Sequence, residues 1–160
     1  MQRNRTCQCS LPVLAAGMVR LQKLHVDAFP DVYKPFTASE AILHLTDLLS
    51  RPEFNVRVLV HSNQVVGHAV LAIESTPASM FKHAQRYGHL TQIEVDPDFR
   101  RSGFGRLLLS DVDEIAKKLG LDRILLDVWA FNDLARGFLS SAGYNAFGSK
   151  LVRSIKPSTG

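Results

Sequence analysis

The chain has 160 residues, 46% of them hydrophobic and 21% charged, with a formal net charge of +4 at pH 7. That length suits one domain with a sizeable core, and the composition excludes both a disordered chain and a chain built of membrane spans. The positive balance alone permits a nucleic-acid partner. Against it, the arginines concentrate at one turn and the other basic residues are dispersed, so neither nucleic acid nor membrane is expected as a partner.

Taken in chain order, residues 5 to 10 read as a short strand carrying Cys7 and Cys9. Two cysteines spaced by one residue on a strand cannot readily bridge each other, and no matching Cys/His pair offers a zinc site. They read as reduced thiols in a cytoplasmic protein. Arg3 to Val19 resembles a signal peptide only superficially, because Pro12 stands where a helix start would place it. From Pro12 to Ala28, Leu14, Met18, Leu21 and His25 recur at helical spacing, and Phe29 to Pro35 breaks the helix. Thr37 with Glu40 predicts a capping box for a second helix ending near Leu49. Val56, Val58 and Val60 alternate with Arg57, Leu59 and His61, as in a half-buried strand. Ser62-Asn63 then turns the chain into an apolar strand over residues 64 to 74.

Residues 75 to 87 read as a loop, and 88 to 95 as a strand. A helix follows with Phe104, Leu107, Leu108, Val112, Ile115 and Leu119 on one face, Asp113/Lys117 and Glu114/Lys118 as i,i+4 pairs on the other, and Gly120 as its stop. Ile124 to Val128 reads as a buried strand, Asn132 as the cap of a helix ending at Gly143, residues 144 to 155 as a last strand or hairpin, and 156 to 160 as a loose tail. There are no repeats, linkers or low-complexity segments. Helices alternating with strands argue one α/β domain over residues 1 to 160.

The densest signal is Val95-Asp-Pro-Asp-Phe-Arg-Arg-Ser-Gly-Phe-Gly-Arg106. An apolar strand ends, two arginines and two glycines make a turn, and a helix opens. The first amides of a helix have no intrahelical acceptor and carry the positive end of its dipole, so they suit an anion. Gly103 and Gly105 allow tight dihedrals and close approach of a ligand, and Arg100, Arg101 and Arg106 add charge. A plain strand-to-helix turn with a solvated basic face is the bland alternative. The dinucleotide fingerprint needs a third glycine where Leu108 stands, and a Walker loop needs Lys-Ser/Thr where Arg106-Leu107 stand.

Arg100-x-x-Gly103-x-Gly105, after a strand and Asp-Pro, resembles the pyrophosphate-binding motif of the GNAT superfamily of N-acyltransferases. Asn132-x-x-Ala135-x-x-Phe138-Leu139-x-x-x-Gly143-Tyr144 is similar to that family's Asn-x-x-Ala-x-x-Phe-Tyr-x-x-x-Gly-Phe signature. The two blocks cover residues 88 to 148, while the N-terminal half matches only in the order of its elements. The resemblance implies a mixed, mostly antiparallel sheet flanked by helices, splayed between the fourth and fifth strands. It also implies acetyl-CoA as co-substrate, direct transfer to an amine in a ternary complex, no metal, and room for a homodimer. The amides of Arg101, Ser102, Gly103, Phe104, Gly105 and Arg106 would hold the pyrophosphate, helped by Arg100. The backbone of Ile93, Glu94 and Val95 would lie along the pantetheine, with Asn132 and Phe138 also beside the cofactor.

Such a transfer needs an oxyanion donor, a base and an acid. The amide of Val95 is the expected donor. Glu94, on the motif strand, and Asp127, inside the apolar run 124 to 128, are the two candidate bases, with water as a third. The family's acid tyrosine is replaced by Leu139. That substitution keeps open a non-catalytic acyl-CoA-binding or regulatory module as the alternative. Tyr144 reads as a packing residue, and the six scattered histidines as structural or solvent-facing. The acceptor, and an acetyl against a longer acyl donor, stay open.

Overall fold

A computed structural model describes residues 2–5, 10–153 and 155. Four strands, β1 (Gln2–Arg5), β2 (Phe54–His61), β3 (Gln64–Thr76) and β4 (Gln85–Val95), pair antiparallel in sequence order. The two-residue β5 (Ile124–Leu125) adds to β4 in parallel. Helices α1 (Leu11–Ala28) and α2 (Ala38–Ser50) cover one face, where Leu14, Met18, Ala41 and Leu45 pack on Val56, Val58 and Val70. Helices α3 (Phe104–Lys118) and α4 (Asp133–Ser141) cover the other, where Leu108, Leu109, Val112 and Leu139 pack on Leu59, Val66, Ala69, Leu71 and Leu90.

Local chemistry sets the element ends. Thr37 and Glu40 form the expected capping box, with Thr37 Oγ1 accepting from the Glu40 amide at 3.2 Å and the Glu40 carboxylate from the Thr37 amide at 2.7 Å. Ser62 and Asn63 both take positive φ, 47° and 62°, which is the geometry of a two-residue hairpin turn. Val56, Val58 and Val60 share the α1/α2 face as their alternation predicts, but Leu59 is also buried because α3 covers the far side. Arg57, between them, reaches α3 and donates to Asp111 through Nη2 at 3.1 Å.

Four expectations need correction. The loop at 75 to 87 is shorter, since Thr76↔Gln85 and Ser75↔Arg86 still pair; polar side chains at an exposed hairpin end do not interrupt a backbone ladder. The strand at 124 to 128 stops after Leu125 because the chain diverges from β4 there, leaving the Asp127 side chain 85% exposed. No strand or hairpin forms over 144 to 153, and Phe147, Leu151 and Val152 stand exposed with no sheet edge paired to them. The N-terminal strand starts earlier than expected, with Gln2–Arg5 paired to β2, and Ser10 stands at the N-cap position of α1, while residues 6 to 9, with Cys7 and Cys9, and 156 to 160 lie outside the described residues.

Candidate active site

The parallel pairing of β4 with β5 consists of Gly88↔Ile124 and His89↔Leu125. Beyond those pairs the strands part, and a cleft of about 130 Å³ opens between Leu90–Ile93 and 126–129. Its other walls come from Leu21 and His25 of α1, Asn132 and Ala135 at the start of α4, and Leu139. The helical stripe of α1 thus runs from core, at Leu14 and Met18, into the cleft.

β4 carries the backbone of this site. Its pairing partners pass from Gln92↔Val70 to Leu90↔Leu71, so Thr91 is an extra residue in a bulge, with its hydroxyl donating to the Val70 carbonyl at 3.2 Å. Past the bulge, the Asp96 amide donates to the Val66 carbonyl at 2.9 Å. In an antiparallel ladder the alternate residues then point their amides outward. The Ile93 and Val95 amides therefore face the side from which β5 has parted, and the outward Val95 carbonyl accepts from Arg100 Nε at 3.0 Å.

The strand leads into the arginine- and glycine-containing turn. Asp96 caps the short 3-10 turn Pro97–Phe99 by accepting from the Asp98 amide at 3.1 Å. Arg101 (φ 64°) and Gly103 (φ 82°) then adopt left-handed backbone, and α3 begins with no side-chain cap on its first amides. Arg101, Ser102 and Arg106 stand exposed around that helix start. Gly105 is needed for a different reason than a turn: a Cβ there would lie 2.9 Å from the Phe138 ring, so its absence brings α4 close to the start of α3. Phe138 accordingly packs against the α3-side core, together with Phe104. Asn132 caps α4, accepting from the Ala135 amide at 3.1 Å, while lining the cleft.

The two candidate bases sit in unlike places. Glu94 is 9% exposed and faces α1, where Arg20 donates to its Oε1 through Nη2 at 3.0 Å and Nε at 3.3 Å. Arg20 also reaches Asp96 at 3.2 Å, and Gly17, one turn earlier, leaves the room that the Glu94 carboxylate and the His68 ring occupy. His68 Nδ1 lies 3.9 Å from Glu94, and burial pushes its pKa down against the opposing pull of Glu94. Asp127 lines the cleft mouth and lies 3.5 Å from His89 Nε2. Leu139, where the family tyrosine would be, is 6% exposed and closes the cleft floor.

Sequence reading passed over Arg20, Glu74, His68, His89 and Gln92. Local motifs carry no trace of them, because Arg20 and Glu94 meet across 74 residues and Glu74 and His89 across 15. Aromatic packing closes one side of the cleft: Trp129 packs on Phe29 at 5.1 Å and edge-on to Tyr33 at 5.5 Å, tying the end of α1 to the segment after β5. Among the described residues, no three His, Cys, Asp or Glu side chains are arranged to hold a metal ion, and no helix is long and apolar enough to cross a membrane.

An open sheet parted around a cleft, with an uncapped helix start following the cleft-lining strand, defines an α/β protein of the parted-sheet class. The acetyltransferase (GNAT) family model matches residues 18–144, and the chain belongs to that family. It is 27% identical to a glucosamine 6-phosphate N-acetyltransferase of Trypanosoma brucei brucei over 54% of this chain and 58% of that protein. Identity is 36% to the [ribosomal protein bS18]-alanine N-acetyltransferase of Escherichia coli over 44% of this chain and 46% of that one. The chain thus spans about half the length of the curated relatives it matches. A mutant of the Bacillus halodurans protein BH1408 shares the fold at TM-score 0.92 and 20% identity, covering 98% of this chain and 100% of that one. An aminoglycoside 6′-N-acetyltransferase of Acinetobacter haemolyticus does so at 0.72 and 16%, covering 98% and 99%.

Proposed function

We propose that the protein transfers an acetyl group from acetyl-CoA to a primary amine, directly, within a ternary complex. The observation that carries this reading is the cleft at the β4/β5 parting, because one strand, β4, lines it and runs on into the uncapped start of α3. In this reading the amides of Arg101 to Arg106 hold the pyrophosphate, and Arg100 braces the turn through the Val95 carbonyl. Pantetheine lies along Ile93 to Val95, against the Asn132 side chain and near Phe138. The Val95 amide donates to the thioester oxygen as it gains charge, a contribution of about 3 kcal/mol for a fixed dipole of this kind.

No acid is needed at Leu139 if the CoA thiolate leaves as such and takes a proton afterwards. The buried leucine is also the observation that favours the rival reading, an acyl-CoA-binding module without turnover. Calorimetric titration with acetyl-CoA, with ATP and NAD as controls, tests the donor. Transfer is then assayed by thiol release with a panel of amines. The panel includes glucosamine 6-phosphate and a peptide with an alanine N-terminus, the acceptors in the names of the two relatives. Selective binding with transfer supports the enzyme, selective binding without transfer to any amine supports the module, and no binding refutes both.

A further inference from the structure

The α1 face of β4 carries ionisable groups beyond Glu94. The bulge at Thr91 decides which ones. Past it, His89 pairs with Ala72 and Tyr87 with Glu74, on the face that Gln92 and Glu94 occupy through Val70 and His68. A regular strand would have turned His89 to the α3 face instead. His89 is also the last β4 residue that pairs with β5, so its ring stands where the strands part.

Glu74 joins the set from β3. Its Oε2 accepts from the Tyr87 hydroxyl at 2.8 Å, and its Oε1 lies 2.6 Å from His89 Nδ1. A carboxylate only accepts, so Nδ1 carries the proton and the neutral ring keeps its lone pair on Nε2. The hydrogen bonds from His89 and then Tyr87 hold the Glu74 carboxyl below its usual range, so it remains charged beside a protonated ring. Nε2 in turn faces Asp127, which lines the cleft.

We propose that His89 is the general base of acetyl transfer, oriented by Glu74, with Asp127 drawing the acceptor's ammonium group into the cleft. This rests on the acetyltransferase reading above. Nε2 takes one proton from the ammonium through water in the cleft, because His89 and Val95 lie too far apart along β4 for direct contact. The freed nitrogen attacks the thioester carbonyl, its bond to carbon forms, and the carbon–sulfur bond breaks. The departing thiolate takes the second proton from nitrogen, and the ring returns its own to water. Glu94, committed to Arg20, serves as a positioning residue that fixes β4 against α1.

The test measures thiol release with the fastest amine of the panel, from about pH 6 to 9, in wild type and variants. His89→Asn keeps a donor near Glu74 and removes the base nitrogen. It should lower kcat/KM on the order of 100-fold, abolish the fall in activity at acid pH, and leave acetyl-CoA affinity unchanged. Asp127→Asn should raise KM for the amine more than it lowers kcat. Retention of the wild-type rate and pH profile by His89→Asn overturns the assignment alone, whereas no transfer to any amine by wild type overturns the acetyltransferase reading with it. Histidine-selective nitrogen NMR of the unmodified protein gives a readout independent of turnover. The Nδ1–H tautomer is expected, and the Nε2–H tautomer refutes the proposal.

Discussion

His68 is 2% exposed, its Nε2 has no hydrogen-bond partner among the described residues, and burial holds its pKa below the ordinary 6.5. The folded ring therefore stays neutral where an unfolded one would take a proton. Stability from this group is complete above about pH 6.5 and is lost as pH falls below it, since the unfolded chain then binds the extra proton. Melting temperatures at about pH 7 and pH 5.5 should differ more in wild type than in His68→Leu. An equal fall in both would place the acid sensitivity elsewhere. Tyr144 invites the opposite experiment. Its hydroxyl is buried without a partner among the described residues, and burial, with a smaller push from Asp113, raises it to about 12. It borders a separate hollow lined by Asp113, Lys117 and Arg123, whereas Leu139 lines the cleft between β4 and β5. Tyr144→Phe should leave transfer unchanged and alter unfolding free energy by no more than about 1 kcal/mol, in the stabilising direction. A clear loss of kcat in that variant would make Tyr144 the missing acid after all.

At the level of elements, what could be read from sequence is what neighbouring residues decide. The Thr37/Glu40 box, the Ser62-Asn63 turn, the left-handed Gly103 and the Asn132 cap all act within three or four residues, and each appears where its pattern predicts. The early end of β5, the extended β3/β4 hairpin and the bulge at Thr91 depend on a partner strand, which periodicity along one strand cannot see. Hence Asp127 read as a buried carboxylate and stands exposed, and His89 read as incidental and stands at the parting of the strands. Helix α1 offers a test of one such long-range constraint. Alanine in place of a mid-helix glycine ordinarily gains about 1 kcal/mol. At Gly17, however, a Cβ would lie 2.6 Å from Glu94 Oε2 and 3.1 Å from His68 Cε1. Arg20 holds that carboxylate in place, so the helix or the ion pair must shift. Gly17→Ala should therefore destabilise the protein by about 1–3 kcal/mol in urea unfolding, and a gain in stability would show that the packing under α1 is loose.

The molecule as a whole is two cores sharing one sheet, joined loosely on one side. Beyond the two β4/β5 pairs, the segment from 126 to 132 is tied to α1 chiefly by the aromatic wall around Trp129, which touches His25, Phe29, Tyr33 and Phe131. A ligand that fills the cleft contacts both walls at once and so replaces missing strand pairing with its own contacts. Binding to the folded state alone stabilises by about 2.7 kcal/mol when ligand is at 100 times its Kd, and acetyl-CoA should raise the melting temperature accordingly. Trp129 is the single tryptophan of the chain and lines that cleft, so its emission should report the same event with the same Kd. Trp129→Phe should keep the thermal shift and lose the signal. Gly103→Val, which forces a branched side chain into φ 82° at the start of α3, should lose both. If Gly103→Val bound acetyl-CoA as tightly as wild type, the start of α3 would not be the anion site. If emission changed with no thermal shift, the ligand would be touching the wall around Trp129 without bridging the two sides of the sheet.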